Sequence, residues 1–333
     1  GVVGASDTTS HTQHPEEIEQ AFQEFISNEE YDPAKDAFAE NLREIASIRA
    51  SGDLTHEVGL NGFADVPPER FRKALRCVPD PKLRRFANTT FQRRAPAAPP
   101  SSIDWEAAGA LAPVGNQKTL LNSCGSCYAI STAVVMESRF KIETGISKVV
   151  PFSVQQIVDC SQPFGNTGCN GGTIVNSIKY ADVEGIVKAS SYPYKAKLGT
   201  CKTSVTSDPR KQCVRPNELT PIFVPPKNEA AMMSEVATGP VAVGLYASAP
   251  AFKFYKSGII TGKTELALQL SEDLSLCAFA AKTCGVSTIN HLVTIVGYNT
   301  SSAGIRYWKV MNSWGKSWGM KGFGYIERTG NQP

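Results

Sequence analysis

Four histidines occur in the chain, at positions 11, 14, 56 and 291, so everything beyond residue 56 carries a single imidazole. That imidazole, His291, heads an apolar run, Asn290-His291-Leu292-Val293. The second reactive group is a thiol. Cys124-Gly125-Ser126-Cys127-Tyr128 leads directly into a segment that is apolar nearly all round, the pattern of a buried helix. Cys127 therefore falls at a helix N-terminus, where unpaired N–H groups and the positive end of the helix dipole favour thiolate. A thiolate with an imidazole base is the equipment of nucleophilic acyl transfer. A Cys-x-x-Cys pair also reads as a disulfide or a redox couple, and a lone histidine is more often structural than catalytic. One imidazole with no acidic cluster beside it does not build a zinc site, so no metal or cofactor is expected.

Nine cysteines, eight of them between 124 and 284, point to an oxidising compartment with disulfides. Asn88-Thr89-Thr90 and Asn299-Thr300-Ser301 are glycosylation acceptors that fit such a setting. The chain opens Gly1-Val2-Val3 without an apolar signal core, which suggests that a targeting peptide has been removed. No run of 18 apolar residues is present, so no membrane helix is expected. The net charge of +3 is too small to suggest nucleic acid. Its distribution is uneven: residues 1–65 carry −11, residues 66–98 carry +7, and the remainder carries +7. An acidic N-terminal segment that docks on a basic body explains this, as do solvated faces of an acidic domain.

Several elements must position these groups. Residues 15–50 read as helix, with Ile18, Phe22, Phe25 and Ile26 on one stripe. After Asp32-Pro33 the period resumes at Phe38, Leu42, Ile45 and Ile48. The stretch after Gly59 reads as extended up to Pro67-Pro68, with a short basic helix from 69 to 76. Gln92-Arg93-Arg94 and the Ala/Pro-rich run behind it form a linker open to processing. Helices are expected at 127–144, near 153–159 and near 172–184. Short strands follow at 241–245, 292–296, 307–311 and 322–326. Helices first and strands later give an α+β chain of two packed halves.

The pentapeptide at 124–128 matches the local signature of papain and the cathepsins, and the resemblance extends along the chain. Asp104-Trp105, Pro113-Val114-Gly115-Asn116-Gln117, Cys169-Asn170-Gly171-Gly172, Tyr192-Pro193-Tyr194, His291 and Asn312-Ser313-Trp314-Gly315 occur in the order of a papain-like cysteine protease. Upstream, Gly59-x-Asn61-x-Phe63-x-Asp65 resembles a motif of cathepsin L-type pro-segments. Glu30, Phe38, Asn41 and Ile45 match the family's helical motif, whereas Ala34 and Arg49 depart from it.

The resemblance implies a cathepsin L-type proenzyme of papain-like two-domain fold. An inhibitory, helical pro-segment would span 1–98 and a peptidase domain 99–333. That domain would have a helical half at about 101–215 and an antiparallel β-barrel half at about 216–333. Cys127 is the implied nucleophile, His291 the base, Asn312 its orienter and Gln117 an oxyanion donor, with Trp314 covering the His–Asn bond. Gly171, Gly172, Thr173, Ile174, Gly244, Asn290 and Trp314 are the implied substrate contacts. The implied disulfides are Cys124–Cys169 and Cys160–Cys201, which leaves Cys77, Cys213, Cys277 and Cys284. Of these, Cys277 and Cys284 are close enough in sequence to pair. The implied product is a secreted or lysosomal, monomeric cysteine endopeptidase that acts on peptides and proteins. It would be inhibited by its own pro-segment and would have no nucleic-acid or membrane partner.

Four departures stand out. Lys118-Thr119-Leu120-Leu121-Asn122-Ser123 lengthens the link between Gln117 and Cys127; Tyr128 replaces a tryptophan; Asn290 replaces an aspartate; and the chain stops at Pro333, before the family's last strand and cysteine. Two alternatives remain open. A catalytically silent binding or antigenic relative would follow if the longer link blocks the cleft, and a thiol oxidoreductase would pair Cys124 with Cys127. Latency is expected to weaken in acid through protonation of docked carboxylates.

Overall fold

The computed structural model describes residues 33–52, 54–75, 98–118, 123–219, 221–225, 228–261 and 289–328. The stripe at 18–26, Glu30, Cys77, Asn88, Arg93-Arg94, residues 119–122, Cys277 and Cys284 lie outside the described residues.

Helix α1 (Pro33–Ala50) starts with its proline, which suits a first turn where the N–H has no helical partner. Its inward face is Ala37, Asn41, Ile45 and Ile48, while Phe38 and Leu42 are only half-buried. The stripe is thus rotated from the apolar expectation to include a polar residue. The reason is local: Asn41 Nδ2 donates to the carbonyls of Ala64 at 2.8 Å and Phe63 at 3.3 Å.

Strand β1 (His56–Val58) precedes Gly59. The segment after Gly59 is not extended as expected but turns. Asn61 Oδ1 accepts from Phe63 N at 3.0 Å, and the Asn61 carbonyl accepts from Ala64 N at 3.0 Å. An asparagine that bonds the backbone two residues on competes with strand formation. Helix α2 (Pro68–Ala74) follows.

From residue 98 the chain lays down β2 (Ile103–Asp104), then α3 (Cys127–Thr144), α4 (Val154–Cys160) and α5 (Ile174–Glu184). The small β3 (Ile186–Val187), α6 (Thr203–Thr206) and β4 (Gln212–Val214) complete the helical half. The β half comprises α7 (Glu229–Val236), β5 (Val241–Leu245), α8 (Pro250–Lys253), β6 (Tyr255–Ile260), β7 (His291–Thr300), β8 (Arg306–Met311) and β9 (Phe323–Glu327).

Seven strands form one sheet in the order β1-β6-β9-β8-β7-β2, with β5 also paired to β7. The expectation of an antiparallel half needs one correction, because β6 and β9 run parallel. Two strands that far apart in sequence can return in the same direction, which hairpin neighbours cannot. The N-terminal segment supplies the β1 edge. His56 faces Gly258 of β6, where φ is +82° and a Cβ would lie 2.5 Å from the Thr55 carbonyl oxygen. Only glycine permits that approach.

Two cores flank the junction. One, in the helical half, contains Cys124, Cys127, Tyr128, Ile157, Val158, Tyr180 and Leu292. The other, in the β half, contains Phe252, Tyr255, Ile295, Trp308, Trp314 and Trp318, together with Phe63, Phe71 and Leu75 from the N-terminal segment. Ile130 and Val134 of α3 pack with Val296, Met311 and Phe323, joining the halves. This junction brings the start of α3 close to the start of β7, since Leu292 shares a cluster with Cys127.

Candidate active site

Cys127 is the first residue of α3 and has no solvent exposure. Ser126 precedes it as N-cap without a side-chain cap bond, so the first N–H groups of α3 lack the usual side-chain acceptor. The Ser126 hydroxyl is held instead by Tyr194 Oη at 2.6 Å. Burial raises the Tyr194 pKa to about 12, and a charge on Cys127 adds to the shift.

His291 opens β7 with no exposed surface. Its Nε2 lies 2.7 Å from Asn312 Oδ1. An amide oxygen only accepts, so Nε2 carries the hydrogen and Nδ1 of the neutral ring is the proton acceptor. Nδ1 is buried and makes no hydrogen bond among the described residues. Asn312 Oδ1 also accepts from Ser313 N at 2.7 Å, which fixes the amide's orientation. Trp314 stacks over the imidazole, with ring centroids 4.7 Å apart and planes inclined by 27°. The indole shields the His291–Asn312 bond from water.

Gln117 lies beside these groups despite its longer link to Cys127. Lys118 and Ser123 form an antiparallel bridge, and Cys124 N donates to the Gln117 carbonyl at 3.1 Å. The bridged pair of Lys118 and Ser123 therefore forms a hairpin base beside Gln117. Ser313 Oγ donates to Gln117 Oε1 at 2.7 Å, which assigns the carbonyl end of the amide to Ser313 and turns its NH2 end to the other side. Asn116 bridges Trp314, so the hairpin base and the tryptophan wall are one unit.

A buried thiol at a helix start, an oriented imidazole with an accepting Nδ1 and a pinned glutamine form the arrangement of a thiol acyl-transfer enzyme. The model of the papain family cysteine protease matches residues 99–332. The chain belongs to the papain family.

Mouse (Mus musculus) procathepsin L is 32% identical over 278 residues, covering 82% of this chain and 73% of the relative. The proform of the ragweed pollen cysteine protease Amb a 11 superposes with a TM-score of 0.70 at 29% identity, covering 95% of this chain and 90% of that one. Procathepsin L 3 of the Tenebrio molitor larval midgut gives 0.69 at 25%, covering 94% of each chain. This papain-family chain is a cysteine endopeptidase in zymogen form.

The residues assigned to substrate contact fall in two groups. Gly171, Gly172, Thr173 and Ile174 lead into α5. Thr173 Oγ1 caps that helix by accepting from Asn176 N at 3.1 Å. A Cβ on Gly172 would lie 2.5 Å from Asn166 Oδ1 and 2.8 Å from the Tyr128 ring. Across the junction, Gly244 pairs with Leu292, and its missing side chain leaves room that Ile289 enters. Asn290 is committed elsewhere: Oδ1 accepts from Ala247 N and Nδ2 donates to Ser248 Oγ, both at 2.8 Å. Sequence reasoning missed Ile289, Ser313 and Tyr194 as individual contributors. Ser313 and Tyr194 lay inside recognised motifs, but nothing in their type announced the bonds they make.

Cys124 is bonded to Cys169, and Cys160 to Cys201. The redox reading is thereby overturned, because Cys124 is tied to Cys169 and not to Cys127. Cys213 lies outside both bridges, half-buried in β4, and burial pushes its thiol pKa up. Asn299 is exposed near the end of β7, its Oδ1 accepting from Thr300 N.

The N-terminal segment reaches the site through aromatic rings. Phe63 meets Trp314 edge-on at 4.8 Å and Phe71 meets it at 5.5 Å. Lys253 Nζ donates to Asn41 Oδ1 at 2.9 Å and lies 4.9 Å from the Phe71 ring. Among the described residues no salt bridge joins the two parts. Burial raises the pKa of Glu44, against the opposing pull of Lys253. Protonation in acid therefore favours the docked form at Glu44, opposite to the sequence expectation. His56 behaves otherwise. It is 5% exposed, neither ring nitrogen has a hydrogen-bond partner among the described residues, and burial lowers its pKa.

Proposed function

We infer that Cys127 is the nucleophile of peptide-bond hydrolysis and that His291 is its base. The carrying observation is the bond from His291 Nε2 to Asn312 Oδ1, which makes Nδ1 the atom that accepts the thiol proton. The sulfur attacks the scissile carbonyl carbon, and the carbonyl oxygen takes up negative charge. The Gln117 amide and the Cys127 backbone N–H stabilise that oxyanion. His291 returns the proton to the leaving amine, which leaves a thioester on Cys127. Water then attacks the thioester with His291 again as base. Asn312 holds the ring, and Trp314 keeps water from their bond.

Residues 1–98 act as the inhibitory pro-segment and 99–333 as the peptidase. The aromatic seal of Phe63 and Phe71 on Trp314 supports this division, as does the β1 strand added to the sheet edge. Two disulfides fit an oxidising compartment, and no helix among the described residues is long and apolar enough to cross a membrane. We read the protein as secreted or lysosomal, monomeric and active on peptides and proteins. Gly244 and Ile174 border an apolar pocket for the second residue before the cut. The test is hydrolysis of a peptide library by the processed protein and by Cys127→Ala. Cleavage at bonds with an apolar residue second before the cut, lost in the variant, is the expected result.

A further inference from the structure

The hairpin base that holds Gln117 also carries a cation for which the catalytic reading has no use. Lys118 N donates to Asn116 Oδ1 at 3.0 Å. Lys118 bridges Ser123, and Asn116 bridges Trp314. The lysine therefore stands on a backbone fixed to the tryptophan wall, one residue from Gln117. Its Nζ donates to the Gly62 carbonyl at 3.1 Å and lies 5.5 Å from the Phe63 ring centroid. No carboxylate among the described residues comes within ion-pair distance of it.

The side of the substrate that this cation faces follows from the proton's path. His291 hands its proton to the leaving amine, so the chain beyond the scissile bond runs along the wall made by His291 and Trp314. In the zymogen Phe63 occupies that wall, and Lys118 reaches over the same ring. When the pro-segment leaves, the ammonium loses the Gly62 carbonyl and the Phe63 face together. It is then left beside the path of the departing chain.

We propose that Lys118 is a specificity residue of the processed enzyme, favouring substrates with Asp or Glu among the first residues beyond the cut. The proposal rests on His291 acting as the acid toward the leaving amine. The lysine is the first residue of the stretch that lengthens the link to Cys127. Because the ammonium is partly exposed, the effect is modest, about threefold in kcat/KM, and salt weakens it.

The experiment uses the full chain, folded and then freed of its pro-segment. Quenched peptides sharing one sequence before the cut carry Asp, Ala or Lys at each of the three positions after it. The wild type should cleave the Asp peptides about threefold faster than the Ala peptides at one of those positions, and the Lys peptides more slowly. Lys118→Ala should level the series while Ala-peptide hydrolysis stays unchanged, and Lys118→Glu should reverse it. An acid preference that survives in Lys118→Ala, or a flat series in the wild type, overturns the proposal and leaves the catalytic reading intact. Failure of the wild type to cleave even the Ala peptides overturns the catalytic reading, and the proposal with it.

Discussion

Phe63 of the pro-segment lies edge-on against Trp314, centroids 4.8 Å apart, and Trp314 in turn stacks on His291. The N-terminal segment thus rests on the ring that covers His291. Phe63 also contacts Phe71 at 5.0 Å, and the pair belongs to the main core of the β half.

Replacing Phe63 with Ala should therefore loosen latency. Removing a buried ring from a packed cluster costs about 3 kcal/mol or more, here mostly from docking. The full-length variant should hydrolyse peptide at neutral pH before any change in its size. Activity and gel mobility followed together check this, and a variant as silent as the wild type would contradict it.

His56 gives latency a pH dependence. Docking buries the ring without a partner and lowers its pKa from the ordinary 6.5, so the docked form prefers the neutral ring. The released segment regains the ordinary value. Docking strength is full above about pH 6.5 and falls as the pH drops below it, because the released state takes up the proton more readily. The groups around the ring do not offset this. Tyr255 of β6 stacks at 6.5 Å with its phenol bonded to the Gly258 carbonyl. Arg49 and Lys256 approach Gly59, and Glu57 is engaged with Ser257. His56→Phe should keep the packing and shift activation to lower pH. An unchanged activation profile would contradict this role.

The limits of the sequence reading follow the same physics. Helix α3 and the strands at 241–245, 292–296 and 307–311 were legible because burial made them predominantly apolar. Strand β6 was missed because Lys256, Ser257 and Gly258 break its pattern at the edge that β1 covers. The turn at 61–65 was read as extended because the side-chain bond of Asn61 has no periodic signature. The places of Cys127 at a helix start and His291 at a strand start were legible from the apolar runs that follow them. The burial of His56 depends on pairing across 202 residues with Gly258, which no local pattern encodes.

Gln117→Ala should lower turnover by roughly 10²–10³-fold with little change in KM, as removal of one oxyanion donor does. Ser313→Ala should lose less, since it orients the amide without touching the substrate. Single-turnover acylation rates measure both. Equal losses, or none at Gln117, would move the oxyanion role elsewhere.

Glu137 sets a second pH dependence, on stability. Its carboxyl is 3% exposed, and burial lifts its pKa to about 8, against a bond accepted from Phe152 N. An acid whose folded pKa is raised gives full stability below its ordinary value of 4.5 and loses it as the pH rises toward 8. The melting temperature should therefore fall between pH 5 and 8, as this group withdraws on the order of 3 kcal/mol of stability. Glu137→Gln should flatten that slope while keeping the acceptor for Phe152 N. A slope identical in the variant would assign it to other groups.

The account stands on Cys127 as nucleophile and His291 as its base, with Asn312 orienting the ring. The most direct test measures peptide hydrolysis and thiol alkylation at Cys127 by the processed wild type and by the Cys127→Ala, His291→Ala and Asn312→Ala variants. The account predicts losses of roughly 10⁴-fold or more for the first two and roughly 10–100-fold for Asn312→Ala. Alkylation at Cys127 should be fast in the wild type and slow in His291→Ala. Near-native hydrolysis by His291→Ala, or by Cys127→Ala, would contradict it.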